Sequence, residues 1–262
     1  MQLADIAMVA ADTSRSRAYL QALVRNELLP NYVLVLANIS EQTLPGQLKV
    51  SRDDLVDTQI VEPDECWSEA HFDPTEPILD SLETASIAYE VSTNNDINDS
   101  SVVERISQRR EPVFIYSGFG GVLLKDNILN TGKLFLHVHG GYLPDYKGST
   151  TNYYSLIVEN TLGASSLFLE KEIDSGPVLF RQKFSPPKDV LSIDHVYDSA
   201  ARAKVLVETL RDYARNKKWK FEIEKNTGGE IYYIIHPVLK HIAILRNQQS
   251  NCLNPVIRDE KD

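Results

Sequence analysis

Two histidines, His137 and His139, lie two positions apart in an apolar segment, and Asp174 follows 35 residues after the second one. Side chains two positions apart on a β-strand point to the same face, so the two imidazoles would lie side by side. Gly140 and Gly141 come next and would let the backbone approach a bound molecule closely. Imidazole and carboxylate groups that meet at one sheet edge are typical of a site that transfers protons.

Three chemical interpretations of these residues are open. In the favoured one, His139 and Asp174 transfer protons while hydrogen-bond donors stabilise an oxyanion, as acyl transfer to an amine requires. In the second, His137, His139 and Asp174 are the ligands of a metal ion. In the third, both histidines are structural residues at the end of a strand. The sequence contains no serine- or cysteine-centred nucleophile motif beside them.

Alternating strands and helices must position these side chains. Residues 4–11 predict a buried strand, the stretch after Thr13 predicts a helix, and residues 32–36 predict a second strand, which together make a parallel crossover unit. Further strands are predicted at 87–91, 113–116, 135–138, 165–169 and 178–182, with helices at 100–109 and 151–159. The pattern predicts an α/β fold with a mostly parallel sheet that carries the histidines at its carboxyl edge.

The sequence changes character after Pro187. Residues 192–214 predict a long helix, and residues 221–223 and 231–235 predict a small hairpin. We therefore expect a catalytic domain over residues 1–187 and a small helix-plus-hairpin subdomain over residues 188–262. Residues 51–83 carry eleven acidic residues against one basic residue and predict a surface excursion that ends in a short helix near 77–85.

Composition narrows the class of protein. The 262 residues carry a formal net charge of −10, which argues against a nucleic-acid partner. The only two cysteines, Cys66 and Cys252, are far apart and predict free thiols in a reducing compartment. No apolar run approaches the roughly 20 residues needed to span a bilayer. The sequence thus predicts a soluble, cytoplasmic protein without a membrane partner.

The segment from His139 to Gly148, together with the later Asp174-Ser175-Gly176, resembles the signature of the folate-dependent formyltransferases. The matching positions are His139, Leu143, Pro144, Tyr146, Gly148, Asp174 and Gly176. That family includes methionyl-tRNA formyltransferase, glycinamide ribonucleotide formyltransferase and the nucleotide-sugar N-formyltransferases. The resemblance, strong over residues 113–182, implies a Rossmann-like formyltransferase domain. It also implies 10-formyltetrahydrofolate as the co-substrate, with no metal expected.

The resemblance implies roles for individual residues. His139 and Asp174 would take the family's catalytic positions, and His137 falls where the family has a catalytic asparagine. We hypothesise that His137 donates a hydrogen bond to the formyl oxygen, as the amide of an asparagine can. The pterin pocket would be lined by two turns, which comprise Tyr116, Ser117, Gly118, Phe119, Glu170, Lys171, Glu172 and Ile173.

The acceptor of the formyl group is the least defined part of this expectation. Acidic charge and the absence of a large basic C-terminal region point away from tRNA and toward a small amine, foremost an amino sugar on a nucleotide. Arg15, Tyr142 and Lys147 are the candidates for binding it. The alternatives are a formyl-group hydrolase or other one-carbon transferase, a metal-dependent hydrolase, and a folate- or nucleotide-binding protein without turnover. A homodimer is also left open.

Overall fold

A computed structural model describes residues 1–37, 65–188 and 190–253. The chain forms two compact units, Met1–Phe135 and Leu136–Asp262. The expected domain boundary after residue 187 falls inside the second unit and stays a prediction. Residues 51–64 of the acidic segment lie outside the described residues.

The first unit contains a parallel sheet. Its strands are β1 (Gln2–Ala10), β2 (Leu29–Val35), β3 (Tyr89–Val91) and β4 (Val113–Ser117). They lie in the order β3-β2-β1-β4, and each neighbouring pair is parallel. β4 is buried along its whole length, which explains why its sequence is apolar without alternation.

Four helices accompany these strands in the described part of the unit. They are α1 (Ser14–Arg25), α2 (Ile78–Thr84), α3 (Ser100–Ser107) and α4 (Asp126–Leu129), and a 3-10 helix spans Glu65–Ala70. The side chain of Thr13 caps α1 by accepting a hydrogen bond from the backbone N–H of Ser16, as the sequence predicts. Helix α4 is a single turn of four residues.

The second unit contains a run of three paired sheet strands and a separate two-stranded sheet. Its strands are β5 (Leu134–His139, which starts at the end of the first unit), β6 (Tyr146–Gly148), β7 (Leu162–Phe168), β8 (Val178–Phe184) and β9 (Glu230–Tyr232). β7 pairs antiparallel with both β5 and β8, whereas β6 and β9 form a separate parallel pair. The helices are α5 (Thr151–Glu159), α6 (Asp198–Asn216) and α7 (Pro237–Leu253). α6 packs against β7 and β8.

The predicted α/β class with a mostly parallel sheet is confirmed. The predicted C-terminal hairpin is wrong, because its second segment pairs with β6 and its first forms an isolated antiparallel bridge from Ile223 to Val178. Aromatic packing accounts for the difference, since the ring of Tyr232 lies against the rings of Tyr146 and Tyr154. The long helix begins at Asp198, after a 3-10 turn (Val190–Ser192) and a π-helical turn (Ile193–Tyr197). Within the described ranges, no helix is both long and apolar enough to cross a bilayer.

Candidate active site

β5 brings the two histidines to its carboxyl end. Phe135, Leu136 and Val138 are buried and fix the strand in the core of the protein. His139 is buried and pairs in register with Ser165 of β7, whereas His137 is half-buried. The strand ends at His139, so the loop from residue 140 starts directly beside its ring.

Asp174 lies in the turn between β7 and β8 and directs its carboxylate at His139. Its Oδ2 atom is 3.3 Å from the Nδ1 atom of His139, and the two side chains are only 12% and 6% exposed. The same oxygen accepts the backbone N–H of Gly148 at 2.8 Å. The ring and the carboxylate therefore face each other where water is largely excluded.

The second ring nitrogen of His139 is held by the loop. Its Nε2 atom lies 2.7 Å from the carbonyl oxygen of Tyr146, and because a carbonyl can only accept, Nε2 must carry a proton in this geometry. The ring satisfies both the carbonyl and the Asp174 carboxylate when each nitrogen is protonated. The two acceptors fix the orientation of the ring, and an imidazole beside a buried carboxylate is a candidate for general acid–base chemistry.

Gly141 makes this arrangement sterically feasible. A Cβ atom at this position would lie 2.6 Å from Nε2 of His139 and 2.6 Å from the carbonyl oxygen of Tyr146. Contacts that short do not occur, so any larger residue would displace the ring or the loop. The close approach of Gly140 and Gly141 to a bound molecule stays a prediction, and the nearest atoms that the structure describes belong to the protein itself.

A buried brace links the loop to the Asp174 turn. Lys147 is 6% exposed, and its Nζ donates to the carbonyl oxygen of Asn226 at 3.0 Å. The side-chain Nδ2 of Asn226 donates in turn to the carbonyl oxygens of Asp174 at 2.6 Å and Gly176 at 3.3 Å. Sequence reasoning missed Asn226, because no local pattern marks a contact that joins residues 52 positions apart. That Lys147 binds the amine that accepts the formyl group stays a prediction.

Tyr146 anchors the same loop through its phenol. Its hydroxyl donates to Oε1 of Glu159 at 3.1 Å, and burial together with this hydrogen bond raises the pKa of Tyr146 well above its usual value. The ammonium of Lys183, followed by Tyr146, lowers the pKa of Glu159. Tyr146 is therefore a neutral hydrogen-bond donor that fixes the carbonyl facing His139.

Tyr142, a candidate for acceptor binding, is half-buried at the start of the loop. The guanidinium of Arg181 lies 4.5 Å and the ammonium of Lys183 lies 4.9 Å from the centre of its ring, as in cation–π contacts. Arg181 also donates to the carbonyl oxygen of Leu143. The role of Tyr142 in binding the formyl acceptor stays a prediction.

The candidate folate residues lie in both units. In the first unit, Arg15 Nε lies 3.3 Å from Ser117 Oγ, and its guanidinium also donates to the carbonyl of Gly118. Tyr116 beside them is buried, which raises the pKa of its phenol to about 12, while Phe119 is half-buried. In the second unit, the turn residues Glu170, Lys171, Glu172 and Ile173 are exposed. Their roles toward folate stay predictions.

The metal interpretation gains no support from the donor groups. Across residues 1–37, 65–188 and 190–253, no group of three or more His, Cys, Asp or Glu side chains is arranged to hold a metal ion. His139 instead uses both ring nitrogens on protein acceptors, Asp174 and Tyr146.

Comparison with known proteins places this geometry in a family context. No family model matches the chain. The methionyl-tRNA formyltransferase of Finegoldia magna is 27% identical over 153 residues, which are 56% of this chain and 49% of that protein. The chain is related to the folate-dependent formyltransferases. The resemblance predicted from its sequence is thus confirmed, although the chain spans only about half the length of this curated relative.

Solved formyltransferase structures share the fold. A sugar N-formyltransferase from a Shewanella species aligns with a TM-score of 0.54 and 14% identity, over 92% of this chain and 87% of that one. An N-formyltransferase from Helicobacter canadensis, in complex with folinic acid and dTDP-3-aminofucose, aligns with a TM-score of 0.53 and 13% identity. That match covers 88% of this chain and 71% of that one. At such identities the likeness establishes the fold of this formyltransferase relative and no more.

Proposed function

We propose that this chain is an N-formyltransferase that moves a formyl group from 10-formyltetrahydrofolate to the amine of a small acceptor, foremost an amino sugar on a nucleotide. The observation that carries the proposal is the buried contact of 3.3 Å between His139 Nδ1 and Asp174 Oδ2. It lies in a relative of the formyltransferases and joins the two residues at which the family signature predicts catalytic side chains.

The chemistry requires one proton to leave the acceptor and one to reach the donor. The acceptor nitrogen attacks the formyl carbon, a C–N bond forms, and the bond from that carbon to N10 of the folate breaks. The amine proton is lost to a base, and N10 gains a proton as it departs, so the reaction neither consumes nor releases protons overall. The His139–Asp174 pair is suited to carry that proton, and His137 would donate a hydrogen bond to the developing oxyanion.

Charge and fold neighbours support a nucleotide-linked amino sugar as the acceptor. A net charge of −10 disfavours binding of a polyanion such as tRNA. Two solved neighbours are sugar N-formyltransferases by their description or bound ligand, and the fold match covers most of each. We propose that the acceptor is bound by Arg15, Tyr142 and Lys147. We also propose that the reaction takes place in the cytoplasm.

A screen for acceptor-dependent release of tetrahydrofolate tests this proposal. The purified protein is incubated with 10-formyltetrahydrofolate and a panel of nucleotide-linked amino sugars, free amino sugars and methionyl-tRNA. We expect release with one or more nucleotide-linked amino sugars, together with the formylated product by mass spectrometry. Equal release without any acceptor would identify a hydrolase instead. Folate binding without turnover against the whole panel would identify a binding protein.

A further inference from the structure

Arg202 of helix α6 contacts β5, the strand that carries the two histidines. Nη1 of Arg202 donates to the carbonyl oxygen of Val138 at 2.8 Å, and Val138 is the residue between His137 and His139. Nε of the same side chain donates to Oδ2 of Asp198 at 2.7 Å, one turn earlier on the helix. The two side chains are 16% and 22% exposed, so this ion pair is largely removed from water.

The other side of Asp198 is fixed as well. Oδ1 of Asp198 accepts from Nδ2 of Asn152 at 2.8 Å, and Oδ1 of Asn152 accepts the backbone N–H of Gly163 at 2.8 Å. Asn152 is 3% exposed. The chain of hydrogen bonds therefore runs from β7 through α5 and α6 to β5, and every group in it is bound on both sides. A buried polar network in which each member is satisfied holds its parts in one geometry.

Gly140 leaves the space that this network needs. A Cβ atom at position 140 would lie 2.3 Å from Oδ1 of Asp198 and 2.4 Å from Nη2 of Arg202. Neither side chain can give way easily, because Asn152 donates a hydrogen bond to Oδ1 of Asp198 and the guanidinium of Arg202 is held at Nη1 by the carbonyl of Val138. The Arg202 and Asp198 side chains can therefore occupy these positions because residue 140 has no side chain.

We propose that Arg202 is a positioning residue, which sets the end of β5, and with it the imidazoles of His137 and His139, through the carbonyl of Val138. The effect of Arg202 on turnover rests on the proposed function, whereas its effect on the histidine rings does not. Only a fork of N–H donors can reach the Val138 carbonyl and the Asp198 carboxylate together. The single ammonium of a lysine, a point charge on a flexible stem, cannot fix both partners in this way.

Two substitutions with one matched control test the inference. Arg202→Gln removes the charge and Arg202→Lys keeps it, while Arg211→Gln on the same helix removes the arginine of a half-exposed ion pair with Glu208. Thermal unfolding and circular dichroism check the fold of each variant. Nitrogen-15 NMR of the imidazoles, with His139→Asn for assignment, reports the histidine environment without any substrate. Acceptor-dependent tetrahydrofolate release then gives kcat and KM.

We expect Arg202→Gln to shift the imidazole resonances of His137 and His139 and to lower kcat about 10- to 100-fold, the cost of a small misplacement of catalytic groups. KM for the folate should stay unchanged, Arg202→Lys should show the same defects, and Arg211→Gln should match the parent. Folded Arg202 variants with the parent's imidazole spectrum would overturn the inference. If the parent itself shows no acceptor-dependent release, the proposed function fails, and the imidazole spectra still decide the role of Arg202. If Arg202→Gln does not fold, Arg202→Lys decides it.

Discussion

The Nδ1 atom of His139 lies 3.3 Å from Oδ2 of Asp174, although the two residues are 35 positions apart, one at the end of β5 and the other in the turn between β7 and β8. The backbone N–H of Gly148 donates to the same carboxylate oxygen, and the carbonyl of Tyr146 holds the opposite side of the ring. The loop after β5 thus closes on both partners. The histidine and the carboxylate are a positioned pair, and the loop defines their orientation.

The role of His137 can be separated from that of the His139–Asp174 pair. We expect His137→Asn, which restores the family's amide donor, to keep formyl transfer. We expect His137→Ala to lower kcat about 100-fold or more, the cost of losing one oxyanion donor. Acceptor-dependent tetrahydrofolate release measures both variants. Equal kcat in His137→Ala and the parent would end the hypothesis that His137 stabilises the oxyanion.

Gly141 should tolerate no side chain. We expect Gly141→Ala to displace the ring of His139, because its Cβ would lie 2.6 Å from Nε2, and to lower kcat about 100-fold. Ser149→Ala, at an exposed position of the same loop, is the control. Kinetics together with imidazole NMR check the result. An unchanged histidine spectrum in Gly141→Ala would show that the described contact does not constrain the ring.

Lys147 should contribute to stability whatever its role in binding. Lys147→Met removes the donor to the Asn226 carbonyl and leaves that buried acceptor unpaired, which costs about 1–3 kcal/mol of unfolding free energy. Urea unfolding at neutral pH measures the loss, with the exposed Lys171→Met as a size-matched comparison for stability only. A Lys147→Met variant as stable as the parent would mean that the brace to Asn226 is not formed in solution.

Glu111 in the first unit should make stability depend on acidic pH. Burial alone would raise the pKa of its carboxyl, but hydrogen bonds from Arg109 and Asn31 outweigh burial and lower the pKa from 4.5 to about 2. Arg109 holds it with two hydrogen bonds, at 2.8 and 3.0 Å. The stabilisation is therefore complete above pH 4.5 and is lost as the pH falls through 2, and the shift corresponds to about 3 kcal/mol.

Denaturant unfolding at pH 7 and pH 3 tests this prediction. The parent should lose part of this stabilisation between the two values. Glu111→Gln, which cannot ionise, should lack that component and be less stable than the parent at pH 7. Glu104→Gln, an exposed carboxylate on α3, should keep the parent's pH dependence. A Glu111→Gln profile parallel to that of the parent would assign the acid sensitivity to other groups.

Much of the fold follows from local patterns in the sequence. The helix at Thr151–Glu159 has the predicted bounds, and Thr13 caps α1 as its residue type indicates. The pairing of β6 with β9 was not predictable in this way, because each strand has only three residues and the partners are more than 80 positions apart. Helix α7 was also missed. Its mixed apolar and polar residues show no clear stripe, so no periodic signal marked it.

Some residues of the candidate site could likewise be predicted from the sequence, and others could not. His139, Asp174 and the glycines could be found because their types and spacing carry chemistry and resemble a known signature. Arg202 and Asn226 could not, since a charged residue in a helix and an asparagine in a turn are ordinary surface features by pattern. Each acts through backbone carbonyls of distant residues, Val138 for the one and Asp174 and Gly176 for the other. Only tertiary structure brings such partners together.

The most direct test of the account is the rate of acceptor-dependent tetrahydrofolate release by Asp174→Asn. The amide keeps an oxygen that can accept the Gly148 N–H but has no charge to pair with the His139 ring, so we predict a kcat lowered about 100-fold or more with unchanged folate affinity. Asp145→Asn, at an exposed position of the loop after β5, is the control and should match the parent. An Asp174→Asn variant that turns over at the parent's rate would contradict the claim that this carboxylate and His139 act together.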